Sequence, residues 1–357
     1  MKVKLKQNLK SFAKALVFLL CLALMLQAFS LTIFSKENAL CFRNAYSKAY
    51  AYIDEPENSI DIVAVGNSDL YTAFVPMHLY ENYGYTSDVI SIPHQSMDKS
   101  YGLLKDFLKH QSPKYLILET DMFYSTGPES VENLTVAKEV SETPKDKMEK
   151  FFITLNGDDF EFDVKNNFSV FNFHDRWKKI KPRDFFNAFK LGDVKSFHHG
   201  YNFSSTAQAC EKSANMIETD AVEPIPTNTL VYFEKIINLC EKNNISVILT
   251  EVPALNSWSY ARHNAVSELA QNYGIEFVDF NLLFDDPDYN FDFNSDFRDG
   301  GDHLNFKGAT KTTLYFAKHF NSEFSAVLED KRSNPDYAYW RETDIEFCKD
   351  AKIDFPY

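Results

Sequence analysis

The chain has no C-x-x-C pair. Its five cysteines, Cys21, Cys41, Cys210, Cys240 and Cys348, are widely scattered. That spacing carries no metal signal and fixes no disulfide framework. A surplus of positive charge is also missing. The formal net charge is -14, so no face is suited to neutralising phosphates, which excludes a nucleic-acid partner. No internal repeat and no low-complexity tract occurs, which sets aside repeat arrays. Charge of either sign is absent from Ala15 to Phe34, and no acid precedes that run. Nothing in the chain calls for a cofactor.

What is present is an ordinary globular composition. Hydrophobic residues make up 45% of 357 positions, too many for a disordered chain. The length fits one large domain or two ordinary ones. Aromatics are plentiful, with 33 Phe and 19 Tyr, and a large core accounts for most of them.

The N-terminus is the clearest local signal. Lys2, Lys4, Lys6, Lys10 and Lys14 come first, in a basic tail spanning 1–14. The uncharged run at 15–34 then follows. About 20 apolar residues at about 1.5 Å each span the hydrocarbon core of a bilayer. The lysines before it keep the N-terminus in the cytoplasm and send the rest outward. A cleaved signal peptide is the competing reading, but its apolar region usually runs only about 7–15 residues. The length favours an uncleaved single-pass anchor in the cell membrane, with residues 35–58 as a stalk or first helix. The residues before Cys21 lack the small side chains that precede a lipidated cysteine.

Beyond the stalk, strand and helix signals alternate. The apolar run Ile60 to Val65 ends in Gly-Asn-Ser and reads as a buried strand entering a tight turn. Ser100 to His110 has helical spacing, and Lys114 to Thr120 is a second buried strand. Later, Thr229 to Asn244 is an amphipathic helix and Ile245 to Pro253 a strand. His263 to Gly274 is a helix, Ile275 to Asn281 a strand, and Gly308 to Phe320 a closing helix. This alternation predicts an α/β three-layer sandwich with a parallel sheet over 59–330. The stretch at about 125–226 is polar and poor in strand signals, and reads as an insertion. Residues 331–357 form a C-terminal extension.

Two short stretches carry the chemistry. Functional groups in an open parallel sheet collect at the carboxyl ends of its strands. Ser68 stands just after the first strand, where a hydroxyl is displayed as a nucleophile. His303, in the stretch from Asp299 to Ala309, follows the last strand and reaches the same edge. An imidazole there can take the serine proton, and a carboxylate beside it can hold its tautomer. Asp299 and Asp302 are both candidates for that carboxylate. Glu119, Asp121 and Glu251 stand at strand ends and line the cleft. His198 and His199 are adjacent and point apart on regular structure, so they suggest no metal site. Arg176 reads first as a structural ion-pair partner.

The Val63–Pro76 stretch resembles the nucleophile block of the SGNH/GDSL hydrolase superfamily, and Asp299–Ala309 resembles its C-terminal Asp/His block. The closest likeness is to membrane-anchored, exported bacterial members related to the lipoteichoic-acid D-alanylation and alginate O-acetylation proteins. His174–Trp177 and Val252–Asn264 look like recurrent elements of that group. The resemblance implies a flavodoxin-like SGNH fold with Ser68 as nucleophile, His303 as general base, and Asp299 or Asp302 as orienting acid. The superfamily's usual D-x-x-H spacing puts Gly300 where its acid should stand. Its oxyanion Gly and Asn have no counterpart at the matching strand ends. Asn67, Gln95 and Thr120 are the candidate donors in their place.

The resemblance implies a serine acyl-transfer enzyme, an O-acetyltransferase or acetylesterase, acting outside the cytoplasmic membrane on a cell-surface or extracellular glycan. A multipass membrane acyltransferase is the implied partner. The alternative is a non-catalytic component that binds polymer or holds such an assembly together.

Overall fold

The computed structural model describes residues 2–31, 33–34, 48–53, 55–125, 168–172, 174–180 and 198–353. The chain divides into two compact units, Met1–Arg43 with Pro128–Asp193, and Asn44–Gly127 with Val194–Tyr357.

In the first unit, α1 (Lys2–Leu31) is a single helix. Its stretch Asn8–Ser30 has a mean hydropathy of 2.2 and is exposed along nearly all its length. By length and composition it can cross a membrane, and a signal sequence passes the same test. The apolar window starts earlier than the expected 15–34, taking in Lys10 and Lys14, and stops at Ser30. The short α5 (Ser169–Asn172) lies against α1. There Val170 N–H donates to Ser30 Oγ at 3.2 Å.

The second unit is built on five parallel strands. They are β1 (Ile62–Val65), β2 (Ser87–Val89), β3 (Tyr115–Glu119), β4 (Ser246–Glu251) and β5 (Glu276–Asp279). Their order is β2-β1-β3-β4-β5. Ile62 to Val65 pair in register with Tyr115 to Leu118, and Tyr115 to Glu119 with Ser246 to Thr250. The central β1 and β3 are fully buried, as expected where helices cover both faces of a parallel sheet.

The helices follow the crossovers. After β1 come α2 (Ser68–Ala73) and α3 (Pro76–Tyr83), and after β2 comes α4 (Met97–Phe107). Then follow α6 (Thr227–Lys242), α7 (Tyr260–Tyr273), α8 (Phe306–Val327) and α9 (Ala338–Ala351). The α6 helix packs on α4, while α8 packs on α2 and α3. Phe316, Phe320 and Phe324 of α8 are buried at helical spacing, as are Phe233, Ile236 and Ile237 of α6. Each such side chain contributes about 1.5–3 kcal/mol. This is the α/β layering expected from the alternation of elements.

Four elements escaped the sequence reading. β2 is only Ser-Asp-Val, with buried Asp88 inside it, so no apolar run marks it. α2 and α3 are short and nearly buried throughout, which hides their periodicity. α9 lies in the stretch expected as an extension and packs on α3. Of the segment expected as an insertion, residues 126–167 and 181–197 lie outside the described residues. Residues 198–226 lie along the second unit. Asn202 N–H donates to Tyr71 O, Gln208 N–H to Phe297 O, and Tyr124 Oη to Glu223 O.

The strand order reverses between β1 and β3. The chain leaves β1 toward β2 and leaves β3 toward β4. A crevice therefore opens beyond the carboxyl ends of β1 and β3.

Candidate active site

β1 delivers Gly66, Asn67 and Ser68 to that crevice. Gly66 has to be glycine because of a close approach. A Cβ there would lie 2.7 Å from Glu119 Cβ and 2.8 Å from Leu70 Cβ. Its N–H donates to Ser91 Oγ at 3.0 Å. Asn67 caps α2, its Oδ1 accepting the Asp69 N–H at 2.8 Å. Ser68 is the first residue of α2 and is half-buried. Its hydroxyl meets the phenol of Tyr71, whose ionisation burial pushes up to about 12.

His303 comes from the loop after β5. Phe297 and Leu304 form an antiparallel bridge, and Arg298 N–H donates to His303 O at 3.0 Å. Between them Gly300 (φ 78°) and Gly301 (φ 121°) hold left-handed conformations, which residues with a Cβ rarely adopt. The turn folds His303 back on Asp299. Asp299 Oδ1 accepts the His303 N–H at 2.8 Å, and its Oδ2 lies 2.5 Å from Nδ1. The extra residue relative to D-x-x-H is absorbed by this Gly-Gly turn rather than by a helical one. Asp302 faces elsewhere and accepts from Asn256 Nδ2 at 2.7 Å. Of the two candidate acids, Asp299 is the one in contact with the imidazole.

The other ring nitrogen points back at α2. His303 Nε2 lies 3.5 Å from Asp69 Oδ1, on the residue following Ser68. Ser68 and His303 are thus brought to one edge of the sheet, but no hydrogen bond joins them among the described residues.

The candidate oxyanion donors are engaged. Asn67 Nδ2 donates to Asp121 Oδ2 at 2.7 Å. Gln95 is fully buried, with Nε2 donating to Ser100 Oγ at 2.9 Å and Oε1 accepting from Ile92 N–H at 2.8 Å. Thr120 Oγ1 donates to Glu251 Oε2 at 2.6 Å.

The floor of the crevice is made of carboxyls. Asp69, Glu119 and Asp121 bring one oxygen each within 4.8 Å of one another. Burial, then the charges of Asp121 and Glu119, hold Asp69 well above the usual carboxylate range. Burial, then Asp121, does the same to Glu119, and burial raises Asp121. Glu251 is raised by burial and by Glu119. Like charges this close cannot all ionise at once. Asp69, on the far side of the imidazole, was the residue that sequence reasoning missed. Its one signal is its place directly after Ser68.

His198 and His199 have partners of their own. His198 Nε2 meets Asp350 Oδ2 at 2.6 Å. His199 stacks on Trp340 with ring centroids 4.0 Å apart. The side chain of Arg176 lies outside the described residues.

Comparison with protein-family models and with curated proteins gives no match. Among solved structures, the chain is similar to a protein assigned as an acylhydrolase from Bacteroides fragilis NCTC 9343. The identity is 13% and the TM-score 0.36, covering 77% of this chain and 94% of the other. It is also similar to a GDSL-like lipase from Bacteroides thetaiotaomicron VPI-5482, at 11% identity and a TM-score of 0.36. That match covers 78% of this chain and 98% of the lipase. The α/β assignment rests on the sheet and its crossovers, not on these neighbours.

Proposed function

We propose that the protein is a serine acyl-transfer enzyme. The observation that carries this reading is the clamp on His303. Asp299 holds both its backbone N–H and Nδ1, and Nε2 faces the helix that begins with Ser68. With Nδ1–H donated to Asp299, the Nε2 lone pair is free to receive a proton.

In the proposed reaction, Ser68 Oγ turns from Tyr71 toward the acyl carbonyl. Its proton passes to His303 Nε2 as the C–O bond forms, and Asp299 stabilises the imidazolium. Collapse of the tetrahedral intermediate expels the first alcohol, which takes the proton back from His303. A second hydroxyl, from a sugar or from water, then attacks the acyl-serine by the same route. Asn67 Nδ2 is the side-chain donor nearest Ser68 in sequence, and it has to leave Asp121 to serve the oxyanion. One such donor is worth about 3 kcal/mol.

The wider setting belongs to the same proposal. The apolar α1 tethers the chain to the cell membrane with its N-terminus in the cytoplasm. The catalytic unit stands outside, acts on a cell-surface or extracellular glycan, and works beside a multipass membrane acyltransferase. The motif resemblance and the run of lysines before α1 support this setting.

The test uses the full chain in detergent with a fluorophosphonate probe and p-nitrophenyl acetate, wild type beside Ser68→Ala. Labelling and acetate release that vanish in the variant support the proposal. Equal labelling of both proteins, or none of either with the fold intact by circular dichroism, removes Ser68 as a nucleophile. The second result leaves the non-catalytic, polymer-binding or scaffold reading. The pairing of Ser68 with Tyr71 and the engaged donors of Asn67, Gln95 and Thr120 favour that reading.

A further inference from the structure

Away from the crevice, α3 and α9 meet over a small buried group of side chains. Glu81 comes from α3, and Asp344 and Cys348 come one helical turn apart from α9. Their ligand atoms all lie within 4.8 Å of one another. Glu81 is 8% exposed, Asp344 0% and Cys348 2%. Glu81 Oε2 is held by His78 Nδ1 at 2.6 Å, but Glu81 Oε1 has no hydrogen-bond partner. Asp344 Oδ1 has only the weak Cys348 Sγ contact at 3.9 Å, and Asp344 Oδ2 has no partner. Two carboxyls thus meet in a closed site, within hydrogen-bond reach of each other and with one oxygen each that has no donor, and among the described residues no lysine or arginine side chain bonds to either.

Buried carboxylate oxygens without a donor are costly. Either a proton or a cation has to lie between them. The third group decides between the kinds of cation. A thiol beside two carboxyls is a poor set for magnesium or calcium, which take oxygen ligands. It suits a borderline metal such as zinc. We propose that Glu81, Asp344 and Cys348 bind a zinc(II) ion that pins α9 to α3.

The surroundings fit that role. His78 Nδ1 stands 2.6 Å from Glu81 Oε2 and Nε2 stands 2.9 Å from Thr310 Oγ1. With its proton on Nδ1 the imidazole donates to Glu81 and orients the carboxylate as the partners of metal ligands do. Tetrahedral zinc with Zn–O and Zn–S near 2.0–2.3 Å needs ligand atoms about 3.3–3.8 Å apart. Cys348 Sγ and Asp344 Oδ1 already stand 3.9 Å apart, close to that spacing. The cysteine spacing could not reveal the site, since its ligands come from two distant helices and only one is a cysteine.

The experiment uses the full chain in detergent, stripped with EDTA. It is titrated with zinc against a chromophoric chelator, and with cobalt(II) followed by absorption. One equivalent of metal and a thiolate-to-cobalt charge-transfer band are expected. Cys348→Ser removes the band. Asp344→Asn and His78→Gln each weaken zinc by about 10–100-fold or more. Should these variants fail to fold, the reciprocal protein decides. In it Cys21, Cys41, Cys210 and Cys240 are all replaced by serine, and the band is retained. A wild type that takes up no zinc, a band that survives Cys348→Ser, or a band lost from the reciprocal protein overturns the proposal. The first of these results leaves a proton shared by Glu81 and Asp344.

Discussion

Replacing Asp299 with Asn removes the negative charge from His303 while keeping the size of the side chain. The backbone contact survives, since the Asn carbonyl still accepts the His303 N–H now held at 2.8 Å. The Nδ1 contact does not. An amide N–H opposite Nδ1 favours the tautomer with its proton on Nε2, which cannot take a proton from Ser68. A charge-assisted hydrogen bond is worth about 1.5–3 kcal/mol. The Asp299 side chain is 39% exposed, so solvent screens part of that and the lower half of the range applies. With the tautomer penalty added, about 3 kcal/mol is lost, or about 10²-fold in rate. Asp302→Asn is the control. Asp302 pairs with Asn256 on an exposed edge, so its loss costs less than about threefold. The assay is p-nitrophenyl acetate turnover against pH. Asp299→Asn is expected to lower kcat with little change in KM. A larger loss from Asp302→Asn, or no loss from either, refutes the assignment of Asp299.

Further outcomes follow from the packing around the crevice. Gly66→Ala drives a Cβ into Glu119 and Leu70, and is expected to cost about 1–3 kcal/mol in urea unfolding. Asn305 caps α8 through Lys307 N–H and Gly308 N–H and donates to Ser295 O and Phe297 O. Asn305→Ala therefore lowers stability by about 1–3 kcal/mol, and turnover falls with it because the same residue braces the His303 loop. The pH dependence follows from Glu119, raised well above its ordinary 4.5 by burial and then Asp121. A raised acid binds its proton more tightly folded than unfolded, so its stabilisation is complete below the unfolded value. It is lost as pH rises through the folded value. Wild type is expected to weaken in urea melts as pH rises above the ordinary 4.5, and Glu119→Gln to flatten that slope. A slope unchanged by Glu119→Gln would remove Glu119 as its source.

The sheet was legible because β1, β3 and β4 are apolar runs that end in turn residues or carboxyls. The helices α4, α6, α7 and α8 were legible because their apolar residues recur at helical spacing. β2 was not, since three residues with a buried aspartate look like a loop. His303 and Ser68 could be placed at one edge from strand order alone. Which acid holds His303 could not, because the answer depends on left-handed backbone at Gly300 and Gly301. The engagement of Asn67, Gln95 and Thr120 was equally hidden. The donors are taken by Asp121, Ser100 and Glu251, and spacing along one segment does not report that. Asp69 went unread because an acid after a serine usually means only a favourable charge in the first turn of a helix.

The joint between α2 and α8 also bears on when the site can exist. Thr313 Oγ1 donates to Ala73 O and accepts the Val75 N–H, across 240 and 238 positions of chain. Contacts of such sequence separation form late, after the loop between them has been closed. A ribosome delivers the serine turn long before the histidine loop and its supporting helix. Every chain cut short before His303 therefore carries Ser68 without the imidazole. The two sides of this crevice come together only after about 230 further residues have been added to the serine turn.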